Sequence, residues 1–225
     1  MLISLSYPLS SSTPFYDGLQ KPRIDPLYQL SKGDVCNSSY FTTSNHCGTH
    51  VDAPNHFNPS GRRIADFSPE ELVFDDVREY RLPLAPSELI EARHFDALGS
   101  SYEPCTALIL RSGYGIYRTK NPHAYVHDNP GFSRSGAERL MEQLPNLKAL
   151  LVDFPSISAT RHEAEGAEAH RVFLGCQGYG ERTILLAEDC AIPDPLPGIE
   201  RLFLVPWFVE GLDSAPCTIW AETSK

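Results

Sequence analysis

The sequence predicts a single mixed α/β domain over residues 1–225, and three observations carry that expectation. The chain has 225 residues, of which 41% are hydrophobic and 21% charged, enough apolar material for one sizeable core. Short β-rich apolar runs bounded by turn residues recur along it, most of them too short to be helices. After about Ala107 these runs alternate with helical patterning, whereas the residues before it read as strand and loop. The 19 prolines are spread along the chain with no internal repeat or low-complexity tract, which favours many short connections inside one domain over a linker between two.

Taken in order, the expected strands are Leu2–Ser6, Ala107–Arg111, Ala149–Phe154, Thr183–Ala187, Leu202–Val205 and Thr218–Ala221. A short helix is expected over Ser87–Ala92. The clearest helix starts at Ser135, where Ser135-Gly136-Ala137-Glu138 reads as a capping box. Leu140, Met141 and Leu144 then supply its apolar face, and Pro145 stops it.

Composition excludes several classes of function. Nineteen Lys and Arg against 29 Asp and Glu leave a net charge of −10, and no basic run exists that would neutralise successive phosphates, so no nucleic-acid partner is expected. No stretch approaches the roughly 18 apolar residues of a membrane span. Met1–Ser12 lacks the basic start and apolar run of a signal peptide, so a cytoplasmic protein is expected. Six cysteines occur without a C-x-x-C pair and read as free thiols.

Eight histidines are present, and three of them fall within His46–His56. The segment His46-Cys47-Gly48-Thr49-His50-Val51-Asp52-Ala53-Pro54-Asn55-His56 thus gathers three imidazoles and a carboxylate, donors suited to zinc or a similar first-row divalent ion. His50 and Asp52, two apart, point to one side of an extended chain with Cα atoms about 6.6 Å apart, so both reach one ion. His46 lies about 13 Å away along a straight strand. A bend is therefore required, and Gly48 permits it. Pro54 breaks the chain again before His56. Cys47 should face away from its neighbours and pack. His94, His123 and His127 are expected at the surface or in local hydrogen bonds.

Other patterns fail. His162-Glu163 opens like H-E-x-x-H, but Gly166 stands where the second histidine belongs. Gly131-Phe132-Ser133-Arg134-Ser135 only approaches G-x-S-x-G and leads into a capped helix with no apolar strand before it.

The pattern H-x-G-T-H-x-D-x-P-x-H-F, standing at His46–Phe57, resembles the signature of the metal-dependent cyclase family, which includes bacterial kynurenine formamidases and isatin hydrolases. The likeness resumes in Gly61–Ile64, Pro69–Val73, Ala107–Gly113, Asn129–Ser133, Val152–Ile157 and Ala169–Arg171. It implies a partly open β-barrel-like sheet flanked by helices, of the swivelling β/β/α type, and association into a homodimer or homotetramer. It further implies that His46, His50 and Asp52 hold one metal ion, with Asp52 able to bridge to a second. His56 matches the family's proton donor and acceptor, and His170 and Glu188 match the ligands of the second ion. Thr13-Pro14-Phe15-Tyr16-Asp17-Gly18 resembles the family's substrate-binding segment, with Tyr16 at the position of its aromatic residue and Phe15 beside it.

The favoured activity is metal-dependent hydrolysis of a C–N amide bond, with zinc the first expectation and manganese the second. A divalent ion lowers the pKa of a water molecule enough that no serine or cysteine nucleophile is needed. N-formylkynurenine or a related aryl amide is the first substrate expected, and ring opening of a cyclic amide such as isatin the second. A metal-binding protein without catalysis is the competing class. It is disfavoured because His46, His50 and Asp52 are only three nearby ligands, whereas structural zinc sites close all four positions.

Overall fold

A computed structural model describes residues 1–98 and 102–224. Its strands are β1 (Leu2–Ser4), β2 (Arg23–Tyr28), β3 (Ser38–Thr42), β4 (His50–Asp52), β5 (Val73–Phe74), β6 (Val77–Arg81), β7 (Leu89–Ile90), β8 (Ala107–Arg111), β9 (Gly131–Phe132), β10 (Ala149–Val152), β11 (Leu185–Glu188), β12 (Ile199–Pro206) and β13 (Ser214–Thr223). Four helices accompany them: α1 (Tyr117–Lys120), α2 (Pro122–His127), α3 (Arg134–Gln143) and α4 (Glu163–Phe173).

Nine strands form one sheet in the order β5-β12-β13-β4-β11-β10-β8-β6, with β1 added to β13. β6, β8, β10 and β11 run parallel to one another, while β4 is antiparallel to both β11 and β13. The two ends of the row, β5 and β6, are consecutive in the chain and separated only by Asp75 and Asp76. The sheet therefore curls until its edges meet, and the barrel-like architecture implied by the motif is present.

Alternation along each strand creates two cores. Val51, Ile109, Leu151, Ala187, Leu204 and Ile219 point inward and fill the barrel. Leu108, Leu110, Leu150, Val152 and Leu186 point outward and are covered by Phe132, Leu140, Val172 and Phe173. Strands buried on both faces carry apolar residues at every position, which is why Ala107–Arg111 is found where it was expected. Pairing carries other strands beyond their apolar runs: β12 and β13 are longer than the segments read from sequence, and β11 begins two residues later and ends on Glu188.

Two expectations are corrected. Residues 87–92 do not form a helix. Ser87 sits at φ 60, outside the right-handed helical region, and Leu89–Ile90 is drawn into a parallel pair with Gly131–Phe132. The capping residue of α3 is Ser133 instead of Ser135: the Ser133 oxygen accepts the Gly136 N–H at 3.1 Å, while the Glu138 carboxylate takes Arg134 at 2.7 Å. Leu140, Met141 and Leu144 are buried as expected, and the helix ends before Pro145. All six cysteines are unpaired. No described helix is long and apolar enough to cross a membrane.

Candidate metal centre and active-site cavity

The site lies where β4 crosses the middle of the sheet. His50 and Asp52 alternate to one face of this strand, and register sets Glu188 of β11 directly opposite His50. His50 Nε2 lies 3.2 Å from Glu188 Oε2 and 3.6 Å from Asp52 Oδ1. On the other flank β13 pairs Ser214 with Asp52, which brings the preceding residue, Asp213, beside the strand end. The Ala53 N–H donates to the Asp213 carbonyl at 2.9 Å.

His46 reaches this group through the bend that the sequence required. Gly48 has φ 73, a left-handed conformation that selects glycine, and a Cβ there would also push aside the Leu9 side chain. The Gly48 carbonyl accepts His50 Nδ1–H at 2.8 Å. Pro54 opens a short turn that carries His56 back over the site, its ring centroid 4.3 Å from that of His46. Cys47 is buried and packs away from the cluster, as expected.

His170 arrives from the last turn of α4, a helix the sequence reading did not identify. Gly166 allows α4 to press on Ser158, because a Cβ would lie 1.9 Å from Ser158 Oγ. Its carbonyl accepts His170 Nδ1–H at 2.8 Å, and His170 stacks on Phe57 with centroids 4.6 Å apart. The free Nε2 points toward Glu188 Oε1, 3.9 Å away. Glu188 is 2% exposed, which rules out a loop acid, and its Oε1 accepts the Ile157 N–H at 2.7 Å.

Asp213 is the residue that sequence reasoning missed. Its Oδ2 accepts His46 Nε2–H at 3.1 Å and His56 Nδ1–H at 2.7 Å. Nothing local announces it, since 157 residues separate it from His56 and only sheet register joins them.

The donor set fits a divalent cation. Asp52 Oδ1 is fully buried and has no hydrogen-bond partner of good geometry, a costly state for a carboxylate unless a cation satisfies it. His46 Nδ1 stands 3.1 Å from that oxygen. Each imidazole is also held by its other nitrogen: His50 and His170 by backbone carbonyls, His46 by Asp213. Such outer hydrogen bonds fix the tautomer of a metal-ligating histidine. Two groups of three donors have ligand atoms within 4.8 Å of one another, His46 with Asp52 and His56, and His50 with Asp52 and Glu188; Asp52 belongs to both.

The acids and imidazoles of the cluster compensate one another's charge. Burial works against an ionised Asp52, but the close imidazoles of His46, His50 and His56 hold it well below the usual carboxylate range. Hydrogen bonds from His46 and His56 lower Asp213 similarly. Burial pulls His46 down, yet Asp213 and Asp52 outweigh it and hold its imidazolium up to about 10, so a cation bound at Nδ1 must displace that proton. Burial lowers His170, which stays neutral with a free nitrogen lone pair.

These groups floor a cavity of about 380 Å³ whose walls include Phe15, Tyr16, Phe57 and Pro155. Phe15 and Tyr16 line this cavity from a loop and not a strand. Burial and the charge of Glu188 raise the Tyr16 phenol, which remains neutral. A larger surface cleft of about 650 Å³ beside Met141 and Arg182 carries no comparable donor cluster.

Comparison with known proteins shows the family and the fold. The putative cyclase family matches residues 3–159, which include the whole His46–His56 segment. A kynurenine formamidase from Bacillus anthracis is 23% identical over 224 residues, covering 95% of this chain and 93% of its own. An uncharacterized protein from Haemophilus influenzae is 31% identical over 111 residues, 49% of this chain and 78% of that one. Among solved structures, isatin hydrolase A from Labrenzia aggregata, bound to benzyl benzoate, superposes with TM-score 0.81 at 16% identity, covering 100% of this chain and 94% of that one. A potential metal-dependent hydrolase with cyclase activity gives TM-score 0.72 at 16% identity over 100% and 98% of the two chains. The expectation of a hydrolase fold drawn from the motif stands, and the chain belongs to the putative cyclase family.

Proposed function

We propose that this protein is a divalent-metal-dependent hydrolase of a C–N amide bond, acting on N-formylkynurenine or a related aryl amide. One observation carries the proposal: the buried, unpartnered Asp52 Oδ1, ringed by imidazole nitrogens, at the floor of a cavity with aromatic walls. His46 through Nδ1, His50 through Nε2 and Asp52 would hold one ion, zinc or manganese, and Asp52, Glu188 and His170 through Nε2 would hold a second. A cation so held supplies an acidified water at neutral pH and polarises the scissile carbonyl.

The chain's own groups do the rest. Asp213 accepts Nδ1–H of His56 and thereby leaves His56 Nε2 as the atom that takes a proton from water and returns one to the leaving nitrogen. The same carboxylate orients His46. Tyr16, a neutral phenol, offers a hydrogen-bond donor to the substrate, and Phe15 and Phe57 provide an apolar wall for an aryl ring. His56 and Tyr16 standing beside the ligands favour catalysis over a purely structural ion.

The test uses chelator-stripped protein and N-formylkynurenine, followed by absorbance. Turnover should vanish on stripping and return with zinc or manganese. A cyclic amide is the second reading, favoured by the fold shared with isatin hydrolase, and isatin belongs in the same assay. Activity that survives complete metal removal, or consumption of neither compound by the metal-loaded protein, would overturn the proposal.

A further inference from the structure

A second cluster of metal-ligating side chains lies outside the cavity. His123 and His127 are one turn apart on α2, with ring centroids 4.4 Å from each other. Residues at i and i+4 of a helix share a face and present their imidazoles side by side. Asp17, from the N-terminal loop, brings Oδ2 to 3.2 Å from His127 Nε2. One ligand atom from each of the three lies within 4.8 Å of the others.

The frame beneath the pair is fixed. Asn121 caps α2 by accepting the Ala124 N–H at 3.1 Å, and the opposite face of the helix buries Tyr125 and Val126. The Tyr125 hydroxyl donates to Asp189 Oδ1 at 2.6 Å. Two imidazoles on a rigid turn therefore form a preorganised bidentate site, and Asp17 is the movable third donor, its side chain 83% exposed. Asp17 directly follows Phe15 and Tyr16, which wall the cavity.

We propose that Asp17, His123 and His127 form a surface site for an imidazole-preferring divalent cation, zinc, nickel or copper, which clasps the Phe15–Tyr16 loop onto α2. Two nitrogen donors and one carboxylate select such ions over magnesium or calcium, which prefer oxygen. Binding replaces the single Asp17–His127 contact by a three-point tie across two distant segments. The loop that carries Tyr16 is then held against the cavity, so the local concentration of the cation sets how freely that wall moves. Cation binding here is independent of the chemistry proposed for the cavity; only its consequence for turnover rests on that reading.

The experiment measures bound zinc by equilibrium dialysis and elemental analysis for the wild type, His123→Gln/His127→Gln, and Asp52→Asn. The double variant should bind one equivalent fewer than wild type. Asp52→Asn, which disrupts the cavity ligands, should keep that equivalent, so failure of the cavity reading and failure of this one are distinguishable. Hydrogen exchange of the peptide spanning residues 14–22 should slow several-fold on adding zinc to wild type and not change in the double variant. Equal zinc content in wild type and double variant, which would leave Asp17–His127 a simple ion pair, overturns the proposal. So does an extra equivalent that leaves exchange of residues 14–22 unaltered.

Discussion

Replacing Asp213 by Asn is the sharpest test of how the site is held. The carboxylate accepts N–H groups from two rings through one oxygen, at 3.1 Å from His46 Nε2 and 2.7 Å from His56 Nδ1. An amide of the same shape is neutral, and its oxygen can face both rings only by turning its NH2 against the Asn45 Nδ2–H that donates to Oδ1 at 2.9 Å, so the charge-assisted contacts are weakened and one donor is left opposed. A hydrogen bond to a charged group contributes roughly 1.5–3 kcal/mol. Because the Asp213 side chain is 29% exposed, water recovers part of the loss, and one such bond is the fair total. At about 1.36 kcal/mol per decade, kcat/KM should fall roughly 10- to 150-fold. The assay is steady-state hydrolysis of N-formylkynurenine under saturating metal, beside metal content of the dialysed protein. The part of the loss that acts through His56 should remain in kcat at saturating metal, and the part that acts through His46 should appear as weaker metal retention. Wild-type values of both in Asp213→Asn would refute the orienting role.

Other outcomes follow from the same geometry. His56→Ala should retain its metal yet lose about 10²- to 10⁴-fold in kcat, the usual range for a proton-transfer group; metal loss of the same order would make His56 a ligand instead. Gly166→Ala forces a Cβ into Ser158 Oγ and should cost about 1–3 kcal/mol by overpacking, read as a lower midpoint in urea, together with weaker binding of a second ion through the displaced His170. Glu71, paired with Arg62 at 2.6 and 2.8 Å, has its carboxyl lowered to about 2. A depressed acid contributes stability that is present above its ordinary value near 4.5 and fades as pH falls toward 2. The melting difference between wild type and Glu71→Gln should therefore be small, because the pair is exposed, and should vanish on acidification; a difference constant across that range would contradict the assignment.

How much of this was legible in the sequence depended on distance along the chain. Gly48 and Pro54 lie between the side chains they position, so the folding of His46–His56 into a cluster followed from local geometry, and the structure places His46, His50, Asp52 and His56 together. The central parallel strands β8, β10 and β11 were legible because burial on both faces leaves an unbroken apolar signature, as in Ala107–Arg111, whereas β6 at the end of the row, with its middle only half-buried, was not. The hairpin of β2 and β3 was not, since Arg23–Tyr28 is mostly exposed and holds its pairing through backbone bonds alone. Helix α4 was hidden by Gly166 and the weakly patterned Glu163–His170 stretch, where close packing on Ser158 matters more than an apolar stripe. Asp213 had no local signal, because its function is created by the register of β13 against β4.

The most direct measurement is an anomalous-scattering map from crystals grown with zinc or manganese. A peak is expected roughly 2.0–2.2 Å from Asp52 Oδ1, with His50 Nε2 and His46 Nδ1 turned onto it. A map empty at that oxygen, in crystals with the cation in excess and the imidazoles still hydrogen-bonded as they are here, would contradict it.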